Sequence, residues 1–220
     1  QPEPEPEWYP RHDLTPGLNE YVYNYGYFDE DNYSDFDFFI ENNIPTSRRL
    51  VTSVGLTGAN ETDYYSIVWH GFITTTVTSD QWLFKTSSDD SSYIFIGQPL
   101  EGKAALESLN IDNSSEFWMN LAVDSNDWTK VVDNNSGGNN TGQILLDSDY
   151  FYQMVVIYGK TTSTASMAAY AAISGNSFTE LFSTPGLDFG VPEKQEFVPF
   201  SYLNSGLNSY YYGGGYFDDS

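Results

Sequence analysis

Cysteine is absent from this chain of 220 residues. Thiolate metal sites and cysteine nucleophiles are therefore excluded, whereas an extracellular domain with a large core can do without disulfides. Basic residues are scarce, because 8 lysines and arginines face 31 acidic residues and the formal net charge is −23. Such a chain repels phosphate backbones and anionic lipids, so we expect neither nucleic acid nor a membrane surface as a partner.

Long apolar runs are missing as well. No stretch approaches the roughly 20 apolar residues that a membrane-spanning helix requires, so we predict no membrane insertion in this segment. No signal peptide is recognisable, and we interpret Gln1 as the start of a mature or trimmed chain.

Signatures of catalysis are also lacking. The histidines are His12 and His70, and His70 lies in an apolar strand pattern where a packed imidazole is expected. There is no Gly-x-Ser-x-Gly elbow and no glycine-rich phosphate loop before a helix. Glycoside hydrolysis requires a pair of carboxylates, but 31 acidic residues produce such pairs by chance, so their presence is no evidence for that activity. We therefore predict that the protein is not an enzyme.

Aromatic residues are abundant instead, with 18 Tyr, 15 Phe and 5 Trp beside 18 Gly and 10 Pro. This composition favours strands and turns, and we predict an all-β sandwich with short helical turns at most. The predicted strands are 66–76, 81–86, 93–96, 117–121, 129–132, 143–146, 150–158, 166–172 and 178–182. Residues 133–142 are predicted to form a long polar loop, 31–39 fit either a helix start or a strand edge, and 104–109 fit one helical turn.

The two ends of the chain resemble each other. Residues 17–29 recur in near copy at 206–218, an offset of 189 residues. Repetition at a fixed offset indicates duplicated units, although two Tyr- and Gly-rich ends of similar composition are the alternative. We predict a Pro/Glu-rich linker over 1–16, a sandwich domain over 17–190, and a linker with the start of a following repeat over 191–220.

Two adjacent carboxylates, Asp89 and Asp90, lie between the aromatic strand 81–84 and the apolar strand 93–96. Neighbouring side chains on a regular strand point to opposite faces, so both reach one ion only where the backbone bends, as at a sharp turn or a cis peptide. A hard cation with oxygen ligands, above all calcium, would offset that strain. The alternative is a polar hairpin loop with solvated charges.

These segments resemble, in order and spacing, the protective-antigen-14 β-sandwich, and most closely the lectin domains of yeast flocculins, epithelial adhesins and GLEYA-type fungal adhesins. The similar segments are 66–73, 81–86, Asp89-Asp90-Ser91, Ile96-Gly97 and 150–158, and the likeness extends from about residue 17 to 181. It implies an antiparallel β-sandwich in which paired aspartates hold Ca²⁺ with an Asn and carbonyls of a second loop, and the ion takes two vicinal sugar hydroxyls. The lack of cysteine is a departure from flocculin-type relatives, which usually carry disulfides.

By this resemblance Asp89 and Asp90 are the predicted metal ligands. Carbohydrate is then expected to contact Asp89, Asp90, Lys160, Thr161, Thr162 and Ser163. The second loop departs from the family, because Lys160 stands where the ligand Asn is expected and 160–166 contain neither Asn nor an acid. Either Thr hydroxyls and carbonyls ligate weakly, or the Lys160 ammonium lies against the aspartates in the ion's place.

Trp118 and Trp128, near Asp124 and Asp127, are candidates for a second sugar platform, although we favour the core for both indoles. The predicted function is a cell-surface adhesin domain that binds cell-surface glycans through the Asp89–Asp90 site. The alternative is a structural or self-associating tandem repeat, whose partners are other copies of the chain and in which Lys160 replaces the metal. Both hypotheses place the protein outside the cell, at a cell wall or cell surface.

Overall fold

A computed structural model describes residues 14–24, 27–29, 36–56, 64–78, 80–101, 127–161 and 165–192. They form two antiparallel sheets and one short helix. The strands are β1 (Leu14–Pro16), β2 (Leu18–Asn24), β3 (Ser47–Val51), β4 (Tyr65–Thr75), β5 (Asp80–Ser88), β6 (Ser92–Glu101), β7 (Trp128–Asn134), β8 (Gly138–Leu146), β9 (Tyr150–Lys160), β10 (Met167–Ile173), β11 (Thr179–Glu180) and β12 (Leu187–Pro192), and the helix is α1 (Phe36–Asn42).

The larger sheet has eight strands, of which six follow the order β1-β12-β4-β9-β6-β7, while β2 pairs with β4 and with β3. The smaller sheet has the order β11-β10-β5-β8. At the centre of the larger sheet, β4 and β9 pair from Tyr65 opposite Lys160 to Ile73 opposite Tyr152. The predicted all-β sandwich is confirmed. Because β5 lies beside β10 in one sheet and β6 beside β9 in the other, the β5–β6 and β9–β10 connections lie at the same end.

The strand β4 is buried along its whole length. Its near-continuous apolar run is typical of a strand that is covered on both faces. One face packs against the smaller sheet in a cluster that includes Ile67, Trp69, Trp82 and Phe84. The opposite face belongs to a second aromatic cluster, which holds the larger sheet against α1.

The helix α1 buries Phe36, Phe39 and Ile40, whose spacing of three and four residues places them on one helical face. The ring of Phe28 lies 5.5 Å from that of Phe36 and 5.3 Å from that of Tyr93, so α1 packs on the outer face of the larger sheet. Of the two alternatives for 31–39, a helix start or a strand edge, the structure shows a helix that begins at Phe36. In the described part of the chain, no helix is long and apolar enough to cross a bilayer.

Two local predictions are wrong. Residues 138–142 belong to β8 and only 135–137 form a turn, because the β8 main chain pairs with β5 while its polar side chains face solvent. The strand predicted over 178–182 is present only as β11, and a 3-10 turn follows at Leu181–Ser183. The strand β1 pairs with β12 from Leu14 opposite Pro192 to Pro16 opposite Gly190, and the domain limits of 17 and 190 stay a prediction. The predictions for 104–109, 117–121 and the repeat at 206–218 lie outside the described residues.

A pH effect is expected from His70, which is 2% exposed in β4. Burial, and secondarily the charge of Arg48, lowers the pKa of His70 from 6.5 to about 3. The folded state therefore holds the imidazole neutral while the unfolded chain takes up a proton below pH 6.5. Stability should fall as the pH drops from 6.5 toward 3, by about 1.4 kcal/mol per pH unit from this residue.

Urea unfolding of the wild type and of His70→Gln between pH 7.5 and pH 3.5 checks this expectation. Carboxylates titrate equally in both proteins, so the difference between the two slopes isolates the histidine. Identical slopes would show that His70 takes up its proton without unfolding the domain.

Candidate functional site

Asp89 and Asp90 form a bend between β5 and β6, where the chain crosses from the smaller to the larger sheet. The expected sharp turn is present, but the suggested cis peptide is not, since the Asp89–Asp90 peptide is trans. The next residue, Ser91, is fully buried, and its hydroxyl donates to the carbonyl of Phe28 at 3.0 Å. Its carbonyl accepts from the amide of Gly159 at 3.0 Å, which ties the bend to β9.

The second predicted loop, from β9 to β10, lies directly against this bend. The Asp89 amide donates to the Ser166 carbonyl at 3.2 Å, and the Ser166 amide donates to Asp89 Oδ1 at 2.8 Å. The Thr161 amide donates to Asp90 Oδ2 at 2.9 Å, and the Thr161 hydroxyl donates to Asp90 Oδ1 at 3.1 Å. The structure therefore brings Asp89, Asp90 and Thr161 together, while Thr162 and Ser163 lie outside the described residues.

The two oxygens of the Asp89 carboxylate differ. Oδ1 accepts from the Tyr158 hydroxyl at 2.7 Å and from the Ser166 amide. Oδ2 is buried and has no hydrogen-bond partner among the described residues. A buried anionic oxygen without a donor is costly, so this atom is where a cation or a ligand donor would bind.

Two tyrosines line the same end of the interior. Burial, and then the hydrogen bond to Asp89, raises the pKa of Tyr158. Burial and the charge of Asp89 raise the pKa of Tyr65 to about 12. Both phenols therefore stay protonated at physiological pH, and Tyr158 remains a donor to Asp89.

Lys160 is the last residue of β9 and is 5% exposed. It stands opposite Tyr65, and its Nζ lies 5.1 Å from the centroid of the Tyr65 ring. Because alternate residues of a strand share a face, Lys160 points to the same side as Tyr158, whose hydroxyl reaches Asp89. The structure places the ammonium at this end of the sandwich, and its substitution for an ion stays a prediction.

Asn24 is a residue of this end that sequence reasoning missed. It ends β2 opposite Tyr65, so Asn24, Tyr65 and Lys160 form one row across three strands. Its Oδ1 is buried and has no hydrogen-bond partner in the described structure. Its only sequence signal is a polar residue at the end of an alternating strand, which equally marks a solvated strand end.

Acidic side chains do not form a larger cluster here, since the described residues contain no group of three or more His, Asp or Glu placed to hold a metal. A cation at this site would complete its shell with carbonyls, hydroxyls or ligand oxygens, which calcium accepts readily.

The other candidates are less suited to a site. Trp128 is half-buried and packs against the cluster under α1, which agrees with a core role. Asp127 is exposed, and Trp118 and Asp124 lie outside the described residues.

No protein-family model matches this sequence, and no curated protein matches it. Solved structures do match. The A domain of epithelial adhesin 9 from Candida glabrata, in complex with Galβ1-4GlcNAc, has a TM-score of 0.57 at 13% identity, over 86% of this chain and 95% of that chain. The PA14 domain of the MpAFP antifreeze protein has a TM-score of 0.53 at 12% identity, over 88% of this chain and 97% of that chain.

The chain has the PA14 fold. At these identities the likeness shows the fold alone. The chain spans less than half of an anti-sigma factor domain-containing protein from Clostridium clariflavum, which has a TM-score of 0.48 at 14% identity over 76% of this chain and 45% of that chain.

Proposed function

We propose that this PA14-fold domain is an adhesin module that binds carbohydrate where the Asp89–Asp90 bend meets the β9–β10 crossover. The observation that carries the proposal is Asp89 Oδ2, a buried carboxylate oxygen with no hydrogen-bond partner among the described residues. Asp90 lies beside it and is held by Thr161. Two carboxylates at a loop end, one of them incompletely satisfied, form an oxygen-rich receptor for a cation or for hydroxyl donors.

Calcium is the ion whose chemistry fits these donors, because it takes about six to eight oxygen ligands in flexible geometry. Asp89 and Asp90 would hold it, and the bound ion would offer open positions to two neighbouring sugar hydroxyls. The protein's own contribution is to fix the carboxylates, since Tyr158 and Ser166 bind Asp89 Oδ1 and Thr161 binds Asp90. Thr162 and Ser163 remain proposed sugar contacts on the same loop.

The solved structures of similar fold support a carbohydrate partner, because the epithelial adhesin 9 domain was solved with Galβ1-4GlcNAc. Kinship with flocculins and GLEYA-type adhesins, and a place at the cell wall or cell surface, are part of this proposal. The net charge of −23 agrees with a neutral glycan as ligand.

A second function is favoured by Lys160. Its ammonium is buried on the same inner face as Tyr158, and its Nζ lies over the ring of Tyr65. In that case the internal cation replaces calcium, and the domain is a structural or self-associating repeat without lectin activity. The two functions differ in whether the Lys160 ammonium takes the place of the calcium ion. A substitution that removes the charge of Lys160 therefore distinguishes them.

Calorimetric titration with CaCl₂ of the wild type and of Lys160→Asn tests the choice. If the domain is a calcium lectin, the wild type binds Ca²⁺ and Lys160→Asn binds it at least ~10-fold more tightly, because a like charge leaves the site. Lys85→Asn is the matched control, since Lys85 lies over Tyr170 and Phe178 on the smaller sheet, and its affinity should equal the wild type's.

A glycan array probed with and without chelator complements the titration. Chelator-sensitive binding supports the lectin. The wild type then binds neither calcium nor glycans, while Lys160→Asn gains calcium binding, if the internal-cation alternative is correct. That combination would overturn the lectin function.

A further inference from the structure

A third connection between the two sheets packs against the Asp89–Asp90 bend. The turn at 135–137 joins β7 of the larger sheet to β8 of the smaller sheet. Gly137 has φ +77°, and a Cβ there would lie 2.3 Å from the carbonyl oxygen of Asp89. Since only glycine tolerates both conditions, this turn is packed directly onto the backbone of Asp89.

Asn134 connects this turn to both sides of the bend. It is 5% exposed, and its Nδ2 donates to Ser88 Oγ and to Ser92 Oγ, at 3.2 Å each, and to the Gly138 carbonyl at 3.3 Å. Ser88 is the last residue before the bend, and Ser92 is the first residue of β6 after it. One amide therefore joins the two strand ends between which Asp89 and Asp90 are held.

The hydroxyl protons of the two serines are already in use. Ser88 Oγ donates to the Asp90 carbonyl at 2.5 Å, and Ser92 Oγ donates to Thr86 Oγ1 at 2.9 Å. Ser88 Oγ and Ser92 Oγ, 2.8 Å apart, also share a hydrogen bond that either hydroxyl can donate. Three bonds thus draw on two hydroxyl protons, and the NH₂ group of Asn134, with two hydrogens on one atom, adds a donor to each serine oxygen.

We propose that Asn134 is the positioning residue of the Asp89–Asp90 site: through Ser88 and Ser92 it sets the direction in which the two carboxylates point. The proposal rests on the proposed function, although the loop geometry it describes does not require a bound ligand. The turn is anchored on its other side as well, because the Tyr93 hydroxyl donates to Asn135 Oδ1 at 2.5 Å.

Amide hydrogen exchange of the ligand-free domain tests the proposal directly. In Asn134→Ala the amides of Asp89 and Ser166, which report the contact between the two loops, should exchange at least ~10-fold faster, while amides in the middle of β4 and β9 keep their rates. Asn139→Ala is the matched control, since Asn139 is exposed on β8, and it should change neither set. Asn134→Ser, which restores one donor, should lie between the wild type and Asn134→Ala.

Glycan affinity is then measured on the same proteins, with an expected loss of at least ~10-fold in Asn134→Ala and none in Asn139→Ala. Faster exchange at Asp89 and Ser166 in a domain that binds no glycan supports the positioning role and removes the proposed function. Unchanged exchange at both amides overturns the positioning role, whatever the affinity. If Asn134→Ala does not fold, Asn134→Ser supplies the same comparison, and rates equal to the wild type's in that variant overturn the proposal.

Discussion

The Asp89→Asn variant is expected to lose calcium-dependent glycan binding by at least ~100-fold while its melting temperature in chelator stays at or above that of the wild type. The amide oxygen of asparagine still accepts from Tyr158 and Ser166, as Asp89 Oδ1 does. The substitution replaces Oδ2, a buried anionic oxygen that has no hydrogen-bond partner among the described residues, with an NH₂ group. Burying a neutral amide costs less than burying a charge, but it offers nothing to a cation.

The same variant separates the two proposed functions. If Lys160 neutralises the aspartates, removal of the charge from Asp89 breaks a buried pair, which costs about 3–5 kcal/mol and lowers the melting temperature by roughly 6–20 °C. Differential scanning calorimetry with calcium and with chelator measures both quantities. The control is Asp133→Asn, an exposed carboxylate of β7, which should leave binding and melting unchanged. A strongly lowered melting temperature in chelator would contradict the lectin and favour the internal cation.

The Glu20→Ala variant is expected to lose about 2–4 kcal/mol of unfolding free energy, from an unpaired indole N–H and a cavity, while Arg49 is 45% exposed and stays solvated. Glu20 is 1% exposed on β2 and stands opposite Arg49 on one side and Trp69 on the other. Its Oε1 accepts from Arg49 Nε at 2.6 Å, and its Oε2 accepts from Trp69 Nε1 at 3.0 Å. Alanine removes the acceptor of a buried indole N–H and the carboxylate of an ion pair, and it leaves a cavity.

Urea denaturation measures this loss, and two further variants define its origin. Glu20→Gln keeps an acceptor for Trp69 but removes the charge, so a smaller loss of about 1–2 kcal/mol is expected. Glu180→Ala, at an exposed position of β11, should change stability by less than about 0.5 kcal/mol. A loss below 1 kcal/mol in Glu20→Ala would mean that water reaches Trp69 and Arg49 once the carboxylate is gone.

Prediction from sequence succeeded where the signal was local. The runs at 66–76, 81–86 and 150–158 are strands because their apolar residues cover one or both faces of a sheet. It failed at 138–142, where a polar edge strand has the composition of a loop. The pattern could not distinguish the two, because the pairing of β8 with β5 satisfies the main chain and leaves polar side chains free to face solvent.

The candidate site was predicted in part for the same reason. Asp89 and Asp90 stand out in the sequence as adjacent acids between two strands. Their partners do not, because Asn134 lies 46 positions from Ser88, and Tyr158 lies 69 positions from Asp89. The sequence signal of Asn24 does not distinguish a site from a surface position, since a polar residue at a strand end looks the same whether that end is buried or solvated.

Side-chain alternation and turn chemistry act over a few residues, so local patterns were enough to predict a β-sandwich with an acidic bend between two consecutive strands. The packing of the two sheets brings three crossovers to that bend, directs Lys160 to the same end, and leaves one oxygen of Asp89 without a hydrogen-bond partner among the described residues. Those contacts join distant segments, and their geometry follows from how the two sheets pack, which local patterns do not encode.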